Sequence, residues 1–131
     1  MPGILIVESQ LAPSLHVGNH LRALGVPHHI VGDAIAASKA VFQVRPDLIL
    51  LDIDSTCYNG LDFHECLQSS QRSECIRVAY WSRKCNWIQE EWAGRLQAVA
   101  ILSKKASAES TAHALIRLMN ESSSQPAMVS A

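Results

Sequence analysis

The segment that most constrains the fold is Leu48–Leu51, an uninterrupted apolar run between Pro46 and a group of polar, turn-forming residues. A strand that is apolar on both faces is typical of the centre of a parallel sheet covered by helices on each side. Such sheets bind ligands at the carboxyl ends of their strands. Asp52 and Asp54 follow the run directly. Taken alone, these two carboxylates are also compatible with a solvated loop, so their interpretation depends on what else reaches the same edge.

The rest of the chain alternates short apolar runs with segments that repeat apolar residues at helical spacing. This alternation predicts an α/β fold, specifically a flavodoxin-like (βα)5 domain with helices on both faces of the sheet. Right-handed crossovers leave few strand arrangements, and we expect a five-stranded parallel sheet of order 2-1-3-4-5. The predicted strands are 3–7, 26–31, 48–51, 76–81 and 98–102.

Apolar positions also predict which faces of the helices are buried. In the fourth predicted helix, Trp87 and Trp92 belong either to the core or to an exposed apolar patch, and the sequence leaves both interpretations open. The expected buried positions are Leu11, Leu15, Gly18 and Leu21 in the first helix, and Phe63, Cys66 and Leu67 in the third.

Length and composition indicate one globular domain. Apolar residues make up 48% of the 131 residues and charged residues 18%, and we expect a domain over 1–120 followed by a Ser-rich tail, 121–131, that is disordered or begins a linker. The net charge of −1 provides no reason to expect direct contact with nucleic acid. No apolar run is long enough to span a membrane. The four cysteines form no Cys-x-x-Cys pair, so we expect reduced thiols in a cytoplasmic protein.

Polar side chains follow four of the five predicted strands. Glu8 follows the first strand, Asp52 and Asp54 follow the third, Ser82 follows the fourth, and Lys104 follows the fifth. Because the carboxyl ends of parallel strands share one edge of the sheet, we expect these side chains to converge. Carboxylates that meet an ammonium and a hydroxyl suit phosphoryl transfer onto a carboxylate, a reaction that depends mostly on positioning and charge neutralisation.

In this chemistry Asp52 is the nucleophile and forms an acyl phosphate. Ser82 donates a hydrogen bond to one phosphoryl oxygen, and Lys104 pairs with another. The carboxylates of Glu8, Asp52 and Asp54 are the predicted ligands of Mg²⁺, which prefers octahedral oxygen coordination and keeps several waters.

These residues carry a resemblance to a known family. The chain resembles a response-regulator receiver domain of the chemotaxis-protein type over residues 3 to about 120. Residues 92–98 are also similar to the corresponding segment of single-domain regulators of type IV pilus twitching motility. The matching segments are Ile4–Ser9, Pro46–Ile53, Asn59–Gly60, Ser82 and Leu102–Lys104.

The resemblance implies a two-component signalling protein that switches on phosphorylation. A histidine kinase or phosphotransfer protein would deliver a phosphoryl group to Asp52, and Ser82 would move toward the phosphate. The face formed by the fourth helix, fifth strand and fifth helix would then change its contacts with a downstream protein or, in a homodimer, with a second copy. Such a domain is not an enzyme beyond self-catalysed phosphoryl transfer and dephosphorylation.

Several residues depart from the pattern of this family. Ser9 replaces a second acid that is a principal metal ligand, so the resemblance implies weak Mg²⁺ binding, which Asp54 would partly restore. Ile101 replaces the aromatic residue of the usual rotamer switch. The other departures are Ser55–Thr56 in place of Met-Pro, Arg83 in place of a small residue, and Lys105 in place of proline. The alternative function is therefore a degenerate receiver that binds proteins independently of phosphorylation.

Overall fold

The computed structural model describes residues 3–70, 76–121 and 129–130, and it contains one parallel sheet with helices on both faces. The strands are β1 (Ile4–Val7), β2 (His28–Val31), β3 (Leu48–Asp52), β4 (Arg77–Ser82), β5 (Ala100–Ser103) and β6 (Val129–Ser130). The helices are α1 (Leu11–Ala23), α2 (Ala34–Val44), α3 (Gly60–Ser69), α4 (Trp87–Arg95) and α5 (Ala108–Asn120).

The strand order is β2-β1-β3-β4-β5-β6, and every neighbouring pair is parallel. The predicted order 2-1-3-4-5 and the flavodoxin-like (βα)5 architecture are therefore confirmed. The short strand β6 adds to the edge of the sheet beside Ala100 and Ile101. Most of the predicted tail, 121–131, lies outside the described residues, and the division of the chain at residue 120 stays a prediction.

Alternation along the strands builds two cores, one on each face of the sheet. On one face, Ile4, Ile6 and Leu50 pack against Leu21 of α1 and Leu115 of α5. On the other face, the intervening strand residues pack against α2, α3 and α4, and this second cluster includes Leu5, Val7, Ile49, Leu51, Tyr80 and Ile101. The central strand β3 is buried along its whole length, as expected for a strand covered on both sides.

Polar side chains begin four of the five helices. Asp33, Asn59 and Ser107 accept hydrogen bonds from backbone N–H groups in the first turns of α2, α3 and α5, which satisfies donors that a helix start leaves unpaired. Asn86 precedes α4 and forms a complete capping box with Gln89. The Asn86 side chain accepts a hydrogen bond from the Gln89 backbone N–H, and the Gln89 side chain accepts one from the Asn86 backbone N–H. This cap sets the α4 boundary that apolar spacing alone left indefinite.

Two predicted helix faces were partly wrong. In α1, Leu11 and Leu15 are exposed, because the stripe that meets the sheet is rotated and consists of Ser14, Val17, Gly18 and Leu21. In α3, Phe63 and Leu67 are buried as predicted, but Cys66 is exposed and His64 takes its place in the interior.

In α4, Trp87 is 70% exposed, whereas Trp92 is half-buried and lies under the Arg95 guanidinium. The buried positions here are instead Ala93 in α4 and Leu96, the residue that follows the helix. The exposed interpretation therefore holds for Trp87 but not for Trp92, and Ile88, which is 48% exposed, lies beside Trp87 in the chain.

The described part of the chain contains three cysteines, Cys57, Cys66 and Cys85, and none of them forms a disulfide. Cys75 lies outside the described residues. None of the described helices is both long enough and apolar enough to cross a membrane.

Candidate functional site

The predicted site residues lie at one edge of the sheet because parallel strands end there together. Asp52 and Ser82 are the last residues of β3 and β4, while Glu8 and Lys104 immediately follow β1 and β5. The register places Val7 beside Leu51. The carboxyl ends of β1, β3, β4 and β5 therefore present four polar side chains to a common space, as predicted.

The Lys104 ammonium joins the two buried carboxylates. Its Nζ lies 2.9 Å from Asp52 Oδ1 and 2.5 Å from Glu8 Oε1. Both acids are almost completely shielded from solvent, with 1% and 2% exposure for Asp52 and Glu8. Two carboxylates that are both buried at the same edge of the sheet need a counter-charge. Lys104 supplies it from the neighbouring end of β5.

The three groups shift one another's ionisation. Burial tends to raise the pKa of Glu8, but hydrogen bonds with Lys104, Asp52 and the Gln10 backbone outweigh it, so the pKa of Glu8 lies below its usual value. For Asp52, burial and the Glu8 carboxylate outweigh Lys104, and its pKa is raised. Burial disfavours the charged form of Lys104, yet its two carboxylate partners raise the pKa of the ammonium. Lys104 is therefore held as a cation between the two acids.

Asp54 lies beside Glu8, Asp52 and Lys104, and its side chain faces β4. Its Oδ1 accepts a hydrogen bond from Ser82 Oγ at 2.8 Å, and its Oδ2 accepts one from the Arg83 backbone N–H at 2.6 Å. The Asp54 backbone N–H donates to Asp52 Oδ1 at 2.9 Å. Asp54 therefore connects Asp52 to the loop after β4.

The predicted metal ligands Glu8, Asp52 and Asp54 do not converge on one point. Within the described residues, no group of three or more His, Cys, Asp or Glu side chains is placed to hold a metal ion. Glu8 and Asp52 both hold the Lys104 ammonium, and both oxygens of Asp54 are occupied by Ser82 and Arg83. In this arrangement the donor set does not fit Mg²⁺, and the role of these residues as its ligands stays a prediction.

Comparison with solved structures relates this geometry to known proteins. At 17% identity and a TM-score of 0.82, the chain is similar to the signal receiver domain of a DNA-binding response regulator from Colwellia psychrerythraea, covering 92% of this chain and 100% of that one. A two-component response regulator from Legionella pneumophila has a TM-score of 0.82 at 19% identity, covering 91% and 98% of the two chains. The chemotaxis response regulator CheY4 of Vibrio cholerae has a TM-score of 0.81 at 17% identity, covering 90% and 98%.

The chain has the fold of a response-regulator receiver domain. The predicted resemblance is therefore confirmed at the level of the fold. No protein-family model matches the sequence, and no curated protein matches it either.

The residues that depart from the receiver pattern lie around the edge of the site. Ser9 is exposed, and the Ser55 hydroxyl donates to it at 3.2 Å, so the position after Glu8 supplies a hydroxyl where the pattern has a second acid. Arg83 and Lys105 are exposed. Ile101, in contrast, is fully buried in the core on the α2–α4 face.

Tyr58 is a residue of the site that sequence reasoning did not identify. Its hydroxyl lies 3.1 Å from the carbonyl oxygens of both Val7 and Asp52, so it holds the ends of β1 and β3 together. Burial and the nearby Asp52 carboxylate raise the pKa of Tyr58, which keeps the hydroxyl protonated as a donor. A tyrosine within a predicted loop carries no signal of this role, because its direction depends on the turn.

Trp81 lies against the site on the face of the sheet that α1 and α5 cover. The Lys104 ammonium lies 5.2 Å from the centre of its ring, within the range of a cation–π contact. Trp81 is 3% exposed, and its indole N–H has no hydrogen-bond partner within the described part of the chain. We therefore expect the fluorescence of Trp81 to change when the charge or the placement of Lys104 changes.

Proposed function

We propose that this chain is a response regulator in which Asp52 accepts a phosphoryl group from a histidine kinase or phosphotransfer protein. The observation that carries the proposal is the Lys104 ammonium between Asp52 and Glu8, at 2.9 and 2.5 Å. It supplies a carboxylate nucleophile together with the positive charge that a transferred phosphoryl group requires. The receiver fold supports this assignment.

In the proposed transfer, an Asp52 oxygen attacks the phosphorus of a phosphohistidine, and the P–N bond breaks as the O–P bond forms. The imidazole leaves with the electron pair and takes up a proton. Lys104 balances the negative charge that the phosphoryl oxygens bring to the edge of the sheet. Ser82, at the end of β4, is the hydroxyl that we expect to contact a phosphoryl oxygen when its present hydrogen bond to Asp54 opens.

Receiver domains typically bind Mg²⁺, and we expect weak binding here. Ser9 contributes no carboxylate, and the carboxylates of Glu8 and Asp52 are both already paired with the single Lys104 ammonium. While the Lys104 ammonium holds Glu8 and Asp52, these carboxylates do not fit Mg²⁺, so we expect the ion to bind only when they leave the ammonium.

We propose a downstream protein as the second partner, contacting the face formed by α4, β5 and α5. At the start of α4, Trp87 and Ile88 are 70% and 48% exposed, and aromatic residues of this kind are enriched in protein interfaces. A homodimer through the same face is a further possibility for this surface. We expect the chain to act in the cytoplasm, where the reduced thiols predicted for its cysteines are stable.

The second candidate function is a receiver that binds its partner without phosphorylation. The specific observation in its favour is that the predicted phosphate-binding groups already have partners in this structure. Lys104 is paired with two carboxylates, and Ser82 is hydrogen-bonded to Asp54.

A titration with beryllofluoride in the presence of Mg²⁺ separates the two functions. Trp81 is the reporter because it lies against Lys104, and a Trp81→Phe variant identifies its share of the fluorescence. The phosphoryl-acceptor function predicts a saturable change that Asp52→Asn abolishes, while Asp62→Asn, an exposed acid on α3, leaves it intact. A flat titration of the unmodified chain would support the phosphorylation-independent function.

A further inference from the structure

The Ser82 hydroxyl already makes all the hydrogen bonds available to it. Its Oγ donates to Asp54 Oδ1 at 2.8 Å and accepts from the Lys84 backbone N–H at 3.0 Å and from Gln89 Nε2 at 2.9 Å. A hydroxyl has one proton to donate and two lone pairs, so this set is complete. Ser82 is fully buried, and any new acceptor must therefore displace Asp54.

Asp54 receives two donors that converge on its carboxylate. Besides Ser82 Oγ, the Arg83 backbone N–H donates to Oδ2 at 2.6 Å. A hydroxyl and an adjacent backbone amide at the end of a strand form an anion-binding pair, and hydrogen bonds to a charged acceptor are the stronger kind. The anion that these two donors bind is the side-chain carboxylate of Asp54, a residue of the same chain.

The same hydrogen bonds connect the site to the beginning of α4. Gln89 donates its Nε2 proton to Ser82, while its Oε1 accepts from the backbone N–H of Asn86 in the α4 capping box. The connection therefore runs from Asp54 through Ser82 and Gln89 to Asn86, the residue that precedes the exposed Trp87. Because each link is a direct contact, the position of the Asp54 carboxylate constrains the loop of residues 83–86.

We propose that the Asp54 carboxylate is a built-in anion that occupies the Ser82 and Arg83 donors and holds the β4–α4 loop without a phosphoryl group. The inference rests on the proposed function in one respect: a phosphoryl group on Asp52 would need the Ser82 donor and would carry negative charge toward Asp54. Phosphorylation therefore competes with Asp54, since a phosphoryl anion on Asp52 and the Asp54 carboxylate repel each other. Asp54 acts as a positioning residue for Ser82 and for the start of α4.

Amide hydrogen exchange tests the first half of this proposal in the absence of any phosphodonor. Asp54→Asn should increase exchange at Arg83 and through residues 84–89 by roughly tenfold, because a charge-assisted acceptor is lost. Asp54→Ala provides a second variant, and thermal unfolding of both checks that the fold remains intact. Asp47→Asn, an exposed acid at the opposite end of β3, is the matched control and should leave exchange unchanged. Unchanged exchange in both Asp54 variants would overturn the proposal.

Beryllofluoride affinity tests the second half. At a Mg²⁺ concentration that saturates each chain, we expect Asp54→Asn to bind beryllofluoride about tenfold more tightly than the unmodified chain, because freed donors and reduced repulsion favour the added anion. Equal affinity, in chains that do bind, would overturn the competition between Asp54 and a phosphoryl group. Faster loop exchange with no binding in any variant would support Asp54 as the anion that holds the loop, and would reject phosphoryl acceptance at Asp52 instead.

Discussion

Lys104 is the residue on which the charge balance of the site depends. It contacts Glu8 and Asp52 at 2.5 and 2.9 Å, and both acids are at most 2% exposed. Removing the ammonium would leave two carboxylates buried close together without a counter-charge. Breaking a buried ion pair by deleting one partner is strongly destabilising, because the remaining charge has lost its solvation.

We therefore expect Lys104→Met to lower the free energy of unfolding by about 3 kcal/mol at neutral pH. Without the ammonium, burial raises the pKa of both acids above their unfolded values of 4.5 and 3.8. Acids with a raised folded pKa favour folding only below the unfolded pKa, so the loss should grow as pH rises from about 4. Urea unfolding across this pH range measures the effect.

Two further variants define what that result means. Glu8→Gln combined with Lys104→Met should recover part of the lost stability, since one of the two unpaired charges is gone. Lys105→Met, at the exposed neighbouring position, should change stability little. An equal loss at every pH would attribute the effect to packing of the lysine chain rather than to its charge.

His64 is a second residue whose ionisation should be visible in stability. It is 3% exposed, shares a hydrogen bond of 2.6 Å with the Tyr80 hydroxyl, and has its pKa lowered by burial from 6.5 to about 4. A histidine with a lowered folded pKa stabilises the fold above pH 6.5, and this contribution is lost as pH falls toward 4. The unfolding free energy should therefore fall across that window, by up to about 1.4 kcal/mol per pH unit.

Variants at His64 and His113 test this assignment. His64→Leu with Tyr80→Phe removes the titrating group without leaving a buried phenol unpaired, and it should flatten the pH dependence between about 6.5 and 4. His113→Gln, an exposed position on α5, should retain the unmodified profile. A slope that survives in the double variant would assign the acid sensitivity to other groups.

At the scale of elements, α3 approaches the end of β3 so closely that its first residue has to be glycine. A Cβ added to Gly60 would lie 2.7 Å from the Asp52 carbonyl oxygen and 3.2 Å from the Ile53 Cα. Both neighbours are backbone atoms and cannot rotate away, so α3 or the β3–α3 loop would have to move. The position of Asp52 is thereby linked to the packing of α3 against the sheet.

Gly60→Ala should consequently reduce stability by about 1–3 kcal/mol, the usual cost of overpacking, and should weaken beryllofluoride binding through displacement of Asp52. Gly94→Ala on α4 is the matched control because no atom lies within 4 Å of its added Cβ. We expect that control to be neutral or slightly stabilising, since alanine favours helix more than glycine does. A Gly60→Ala chain as stable as the control would show that α3 can shift freely.

At the scale of the whole molecule, the parts that followed from sequence are those governed by strand periodicity and parallel topology. The apolar run of β3 and the alternation of elements predicted the strand order, and the order brought Glu8, Asp52 and Lys104 to one edge. Local side-chain directions were not predictable in this way. Asp54 was expected among metal ligands, yet the turn after β3 directs it to Ser82 and Arg83.

The buried faces of the helices likewise depend on tertiary packing as well as on apolar spacing in the sequence. Leu11 and Leu15 have helical spacing, but Ser14, Val17 and Gly18 face the sheet. Packing against the sheet, and not apolar spacing alone, determines which face of α1 is buried. Tyr58 and His64 act through partners distant in sequence, Val7 and Tyr80. No spacing rule connects such pairs, and only the assembled fold reveals them.

Chemical trapping of the acyl phosphate shows whether Asp52 carries the phosphoryl group. The intact chain is incubated with a small acyl-phosphate donor and Mg²⁺, reduced with borohydride, and digested for peptide mass mapping. Because reduction converts an aspartyl phosphate to homoserine, we expect homoserine at position 52 and none in Asp52→Asn. Trapping at Glu8 or Asp54, or an unmodified residue 52 in a chain that remains folded, would contradict it.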